Sequence, residues 1–82
     1  MGLKKLAEKV AEYNDRFERG KASKIKPSHV EKVLVKLRNK FDELEADLAS
    51  AGSADKKARL KKKLGVATAQ IERAEWLLKE IN

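Results

Sequence analysis

A run of six cations in eight residues, from Lys56 to Lys63, is the strongest chemical signal in the sequence. Lysine and arginine at this density bind phosphates, because each contact releases a counterion from a nucleic-acid backbone. On a helix, Arg59 and Lys62 project outward, and Lys63 adjoins them. These three residues are the predicted nucleic-acid contacts of the run.

A solvated helix face that binds nothing is the competing interpretation of this run. The preceding segment carries acids, and an antiparallel register places Asp47 beside Lys56 and Glu45 beside Lys61. Such pairs are common and individually weak. They would remove part of the basic field, and we favour this interpretation over phosphate binding.

The segment KASKIKP, residues 21–27, is a second basic element: it carries Lys21, Lys24 and Lys26 and no acid. The net charge is +1 for residues 1–20, +3 for 21–27, −1 for 28–50 and +4 for 51–82. We expect the loop and the run at 56–63 to lie at opposite ends of the molecule. Two separate patches do not form the continuous stripe typical of duplex binding.

Trp76 is the one aromatic residue that falls outside the apolar stripes; the others are Tyr13, Phe17 and Phe41. Tryptophan is enriched at binding hot spots, so Trp76 is a predicted partner contact, together with Leu77 and Val35. Packing of Trp76 under the first helix or the loop is an equal alternative.

The remaining residue types do not favour catalysis or metal binding. His29 is the sole histidine and sits at an expected helix start, without a partner for general acid–base chemistry. The sequence has no cysteine, no Glu-x-x-His motif and no glycine-rich phosphate loop. We expect neither an enzyme nor a metal or cofactor site.

Apolar residues recur every three or four positions along three segments, which predicts amphipathic helices at about residues 3–19, 28–49 and 53–81, with a loop at 20–27. Gly20 suits a helix C-terminus and Gly52 a left-handed turn. Ser28 with Glu31 forms a capping-box pattern, and Ser53 can cap the third helix.

The second and third segments match as an antiparallel hairpin. The expected facing layers are Leu44 with Leu60, Phe41 with Leu64, Leu37 with Ala67, Leu34 with Ile71, and Val30 with Ala74. Val33, Gln70 and Leu77 flank this seam, so we expect the first helix there. The fold class is therefore all-α, a three-helix bundle. A long hairpin that dimerises is the alternative fold.

Gly65 lies inside the third predicted helix, where a close approach of another backbone would explain it.

Eighty-two residues predict one domain, 1–82, with enough apolar residues (41%) for a core. No apolar run reaches the length of a membrane span or a secretory signal, so we expect a cytoplasmic protein. The leading hypothesis is a non-enzymatic protein–protein interaction or self-association module with an unidentified partner. The alternative is a weak, sequence-independent nucleic-acid-binding protein that uses the basic face of the third helix.

Overall fold

The computed structural model of the protein describes residues 2–82, and Met1 lies outside it. Three helices follow in order: α1 (Leu3–Glu18), α2 (Pro27–Ser50) and α3 (Ala54–Ile81), with a 3-10 turn at Ala22–Lys24 between α1 and α2. The predicted all-α class and the predicted bundle are confirmed, and the helix ends agree with the expected ones to about one residue. Among residues 2–82, no helix combines the length and apolarity needed to cross a bilayer.

Two rows of apolar residues form the seam between α2 and α3. The inner row is buried: Val30, Leu37, Leu44, Leu60, Ala67 and Ala74. The outer row is half-buried and consists of Phe41, Leu48, Leu64, Ile71 and Leu78. Each row repeats every seven residues within a helix, which keeps its members on one face. The hairpin thus has one closed side and one partly open side.

Four of the five predicted layers have both members in one core cluster: Leu44 with Leu60, Phe41 with Leu64, Leu34 with Ile71, and Val30 with Ala74. Leu37 and Ala67 are the exception, because Leu37 belongs to the core cluster at the α1 end, whereas Ala67 belongs to a second cluster near the hairpin turn. Ala51 leaves α2 in an extended conformation, and its side chain is buried in the second cluster.

The predicted docking site of α1 is confirmed. Leu6 and Val10 are buried in the same cluster as Val33 and Leu77. Gln70, the third residue expected there, lines a shallow groove beside Val10. The apolar stripe of α1 therefore packs against Val33 and Leu77, the two apolar residues that flank the seam.

α1 covers only part of the hairpin. Leu3 packs against both core clusters, and Phe17 meets Trp76 near the other end of α3. α1 therefore runs antiparallel to α2 and parallel to α3. At 1.5 Å per residue, α1 is about 24 Å long and α3 about 42 Å long. The end of the hairpin that contains the turn has no third helix beside it.

Two predicted helix caps are confirmed. Gly20 has a φ of 74°, and its N–H donates to the Phe17 carbonyl at 3.1 Å while the Lys21 N–H donates to the Arg16 carbonyl at 2.8 Å. These two bonds make a Schellman motif that ends α1. At the start of α3, the Ser53 hydroxyl oxygen accepts from the Lys56 N–H at 3.2 Å.

The capping box at Ser28 and the left-handed turn at Gly52 were wrong predictions. α2 begins one residue earlier, at Pro27, with Lys26 at the N-cap and no side-chain cap. Proline is favoured at the first helical position because its fixed φ already suits the helix, which places Ser28 inside the first turn. At the hairpin turn, Gly52 has no positive φ, because extended Ala51 and Ser53 reverse the chain.

Gly65 lies on the exposed surface of α3, and a Cβ placed on it would meet no atom within 4 Å. No close approach of another backbone explains this glycine. In a helix interior, glycine destabilises the fold relative to alanine, because the unfolded chain has more conformational freedom at a glycine.

We predict that Gly65→Ala raises the free energy of unfolding by about 1 kcal/mol, since the helix gains propensity without a steric clash. Gly20→Ala is the matched control, because its left-handed conformation costs a side chain about 1–2 kcal/mol. Urea unfolding of each variant, followed by circular dichroism, measures both changes. Equal effects of the same sign would contradict the structure at one of the two positions.

Candidate functional site

The surface grooves that flank α1 differ in chemistry. The groove between α1 and α3 is lined by small and polar residues near Asn14 and Gln70, with one cation, Arg73. The groove between α1 and α2 is lined by Lys9, Tyr13, His29, Lys32, Val33 and Lys36. Three lysines and a histidine thus share one groove, and no carboxylate lines it. We call this the basic groove.

Helix geometry explains how these side chains converge. His29, Lys32 and Lys36 follow one another at spacings of three and four, so they share one face of α2. Lys9 and Tyr13 are four apart on α1 and share the opposing face. Burial of the α1 stripe beside Val33 brings the two faces together.

The lysines of the basic groove have no anionic partner. Within residues 2–82, no carboxylate lies within 4 Å of the ammonium group of Lys9, Lys32 or Lys36. Lys32 and Lys36 are exposed and Lys9 is half-buried. Repulsion among these like charges is relieved by water and counterions alone, which an arriving phosphate would replace.

Tyr13 is the aromatic member of the basic groove and is half-buried there. The guanidinium carbon of Arg16 lies 5.9 Å from the centre of its ring, within the range of a cation–π contact. Arg16 is also paired with Glu12 on the same helix. The tyrosine also packs against the main core cluster, to which all three helices contribute.

The loop lysines lie beside the start of α2 and are held outward by a buried neighbour. Ile25, in the loop, is buried in the main core cluster. Hydrogen bonds from the Lys24 N–H to the Lys21 carbonyl at 2.9 Å, and from the Ile25 N–H to the Ala22 carbonyl at 3.0 Å, form the 3-10 turn. Lys21, Lys24 and Lys26 are all exposed.

The fold shows where the charge excess of the protein is located. Residues 20–41, which are the loop and the first half of α2, contain seven lysines and arginines and one glutamate, a net charge of +6. Residues 42–82 contain eight cations and eight acids and are neutral overall. Nearly all of the total of +7 therefore belongs to the loop and to the part of α2 beside α1.

The basic run of α3 is exposed except for Leu60, so Arg59, Lys62 and Lys63 are accessible. The predicted pairs of Asp47 with Lys56 and of Glu45 with Lys61 were wrong: neither is formed within 4 Å in residues 2–82. All four side chains are exposed, and an ion pair between exposed side chains gains little free energy. The acids of α2 nevertheless share this end of the hairpin and balance its charge.

The open side of the hairpin carries the exposed Val35, which has 54% of its surface accessible. Beside it runs a groove lined by Leu34 and Leu78. An ion pair crosses this groove, with Arg38 Nη2 3.2 Å from Glu75 Oε2. Charges of both signs line this surface, in contrast to the basic groove.

Trp76 and Leu77 have different environments. Trp76 is 40% exposed and contacts Phe17 edge to face, with ring centres 5.3 Å apart and an angle of 78°. The Arg73 guanidinium lies 5.4 Å from the Trp76 ring centre. Leu77 is fully buried, so the prediction that it contacts a partner was wrong. Its side chain lies in the core, where α1 covers it.

His29 lines the basic groove, but the part of the chain that the structure describes holds no group of three metal-binding side chains. It also holds no buried polar or charged side chain.

Sequence reasoning missed four members of the basic groove: Lys9, Tyr13, Lys32 and Lys36. The spacing of Lys32 and Lys36 was a usable signal, because lysines four apart share a helix face. The meeting of these lysines with Lys9 and Tyr13 could not be read from either helix alone, since it depends on how α1 is rotated against α2.

Comparison of the chain with family models, with curated proteins and with solved structures gives no match.

We predict that Phe17 and Trp76 stabilise the fold jointly. Each change to alanine lowers the free energy of unfolding, and the double variant loses less than the sum by about 0.5–1.5 kcal/mol, the usual worth of an edge-to-face aromatic pair. Chemical unfolding of the wild type, both single variants and the double variant measures this coupling. Strict additivity would show that the two rings do not interact in solution.

Proposed function

We propose that the protein binds nucleic acid without sequence preference, through the loop lysines and the first half of α2. The observation that carries this proposal is the net charge of +6 within residues 20–41. The exposed lysines of this segment are Lys21, Lys24 and Lys26 in the loop and Lys32 and Lys36 on α2, and we call these five residues the stripe. We expected the loop and the run at 56–63 to lie too far apart to act as one surface. That separation does not weaken the present proposal, which pairs the loop with α2.

Cations that lack carboxylate partners suit binding to phosphates. No internal ion pair must be broken before these lysines meet a phosphate, so the release of counterions is available in full. Recognition by lysine alone carries no base information, because contacts with phosphates position a duplex or strand without reading it. Binding of modest affinity and strong salt dependence follows from this chemistry.

The basic run of α3 has a smaller part in this proposal than the sequence suggested. Arg59, Lys62 and Lys63 are accessible, but the acids of α2 at the same end of the hairpin make that region nearly neutral. A polyanion approaching it meets attraction and repulsion together. Within residues 20–41 the one acid is Glu31. Arg38 and Lys40 of this segment pair with Glu75 and Glu43, whereas the five lysines of the stripe have no ion-pair partner among residues 2–82.

We predict that a labelled single-stranded DNA of about 16 nucleotides binds at about 50 mM salt and is largely released at about 200 mM. The triple variant Lys21→Gln, Lys24→Gln, Lys26→Gln should reduce the slope of log affinity against log salt concentration by about 2, because each lost phosphate contact removes roughly 0.7. Fluorescence anisotropy measures both quantities.

The triple variant Arg59→Gln, Lys62→Gln, Lys63→Gln is the matched control, because it removes the same charge from the other end of the molecule. It should reduce the slope less than the loop variant does. Absence of binding at low salt, or affinity that does not change with salt, would end the proposal.

A second candidate is self-association, which the exposure of Val35 beside the groove between α2 and α3 supports. The rim of that groove contains Glu31 and Glu75 as well as Arg38 and Lys79. A two-fold contact places opposite charges of two copies together, as an isologous interface requires. The occupant on this hypothesis is a second copy of the chain.

Under this second candidate, Val35→Lys shifts the protein to monomer, because it places two like charges at the centre of the contact. Val66→Lys is the control, since Val66 is also exposed (41%) but lies on α3 away from that groove. Sedimentation equilibrium at several concentrations reads the outcome. A monomeric wild type would remove this candidate.

A further inference from the structure

We propose that the basic groove between α1 and α2 is a binding site for a single nucleic-acid strand. Lys9, Lys32 and Lys36 contact its phosphates, and Tyr13 contacts a base. This inference rests on the proposed function and adds to it the form of nucleic acid and the residues that select it.

The two walls of the groove supply the phosphate contacts. Lys9 comes from α1, while Lys32 and Lys36 come from α2, so cations lie on both sides of the same groove. No carboxylate lines the groove to repel an anion. An extended anionic chain lying between the helices is therefore attracted from both sides, which a flat basic face does not achieve.

Tyr13 supplies the contact that distinguishes a strand from a simple anion. Sites for single strands combine a positive groove with an aromatic side chain on which a base stacks. Tyr13 lines the groove with the lysines, is half-buried and packs against the main core cluster, which holds its ring in position. In a duplex the bases are already stacked on one another, so only an unpaired base can use this ring.

Further lysines lie along α2 on either side of the groove. Lys26 is the N-cap of α2, and Lys36 and Lys40 line an adjoining depression in which Glu43 pairs with Lys40 at 3.7 Å. At 1.5 Å per residue, the distance along α2 from Lys26 to Lys40 is about 21 Å. This length suits several nucleotides of an extended strand, within the range of single-strand sites.

The test compares a single strand with a duplex of the same sequence, by anisotropy at low salt. We expect the wild type to bind the single strand more tightly. The double variant Lys32→Gln, Lys36→Gln weakens single-strand binding roughly tenfold and reduces the salt slope by about 1.4. Both lysines are exposed and unpaired, so this variant keeps its fold.

The charge-matched control is Lys4→Gln, Lys79→Gln, which removes two exposed lysines that lie outside the groove. It should weaken binding by roughly threefold or less, through the net charge alone. Tyr13→Phe keeps the ring and the preference for a single strand. Tyr13→Leu loses the preference, and circular dichroism verifies that the helices persist.

The outcomes separate this inference from the proposed function. Binding that falls with the loop variant, but equally with Lys32→Gln, Lys36→Gln and with its control, overturns the groove site and confines the proposed function to the loop lysines. Equal affinity of the wild type for single strand and duplex also overturns the groove site. Absence of any binding at low salt overturns both.

Discussion

Burial of Leu6 and Val10 against Val33 and Leu77 is the interaction on which the rest of the structure depends. The hairpin of α2 and α3 alone would leave this apolar strip in water, and α1 alone would have no partner for its stripe. Once these residues are buried, the rotation of α1 is fixed. The same contact therefore builds the core and places Lys9 opposite the lysines of α2.

The loop between α1 and α2 extends this principle from the core to the surface. Its one large apolar residue, Ile25, is buried, and the Schellman motif at Gly20 fixes the direction in which the chain leaves α1. The lysines on either side of Ile25 consequently point outward on a short, hydrogen-bonded segment. These charges therefore lie on backbone that is already ordered, so the loop loses less conformational entropy when a ligand binds.

The sequence was sufficient to predict the three helices and the contact that joins α1 to the hairpin, and it failed at the start of α2, at the hairpin turn and for the surface charges. Apolar spacing predicted all three helices and the docking of α1 at Val33. The pairing of α2 with α3 agrees with the structure in four of five layers, but the two ion pairs expected from it are not formed within residues 2–82. The net charge summed over the whole of predicted helix two was −1, because its basic first half and its acidic second half cancel. This sum concealed the basic character of the first half. The basic groove became visible only after packing joined α1 to that first half of α2.

The incomplete cover of the hairpin by α1 has a consequence for cooperativity. Near the turn, each helix has one neighbour, and the buried side chains there belong to a smaller cluster around Leu44 and Leu60. Local opening requires less free energy where fewer apolar contacts must be broken. We therefore expect the backbone amides of that end to exchange with solvent through a partial opening, and those beside α1 to exchange only when the whole bundle unfolds. The molecule is one fold with two levels of protection.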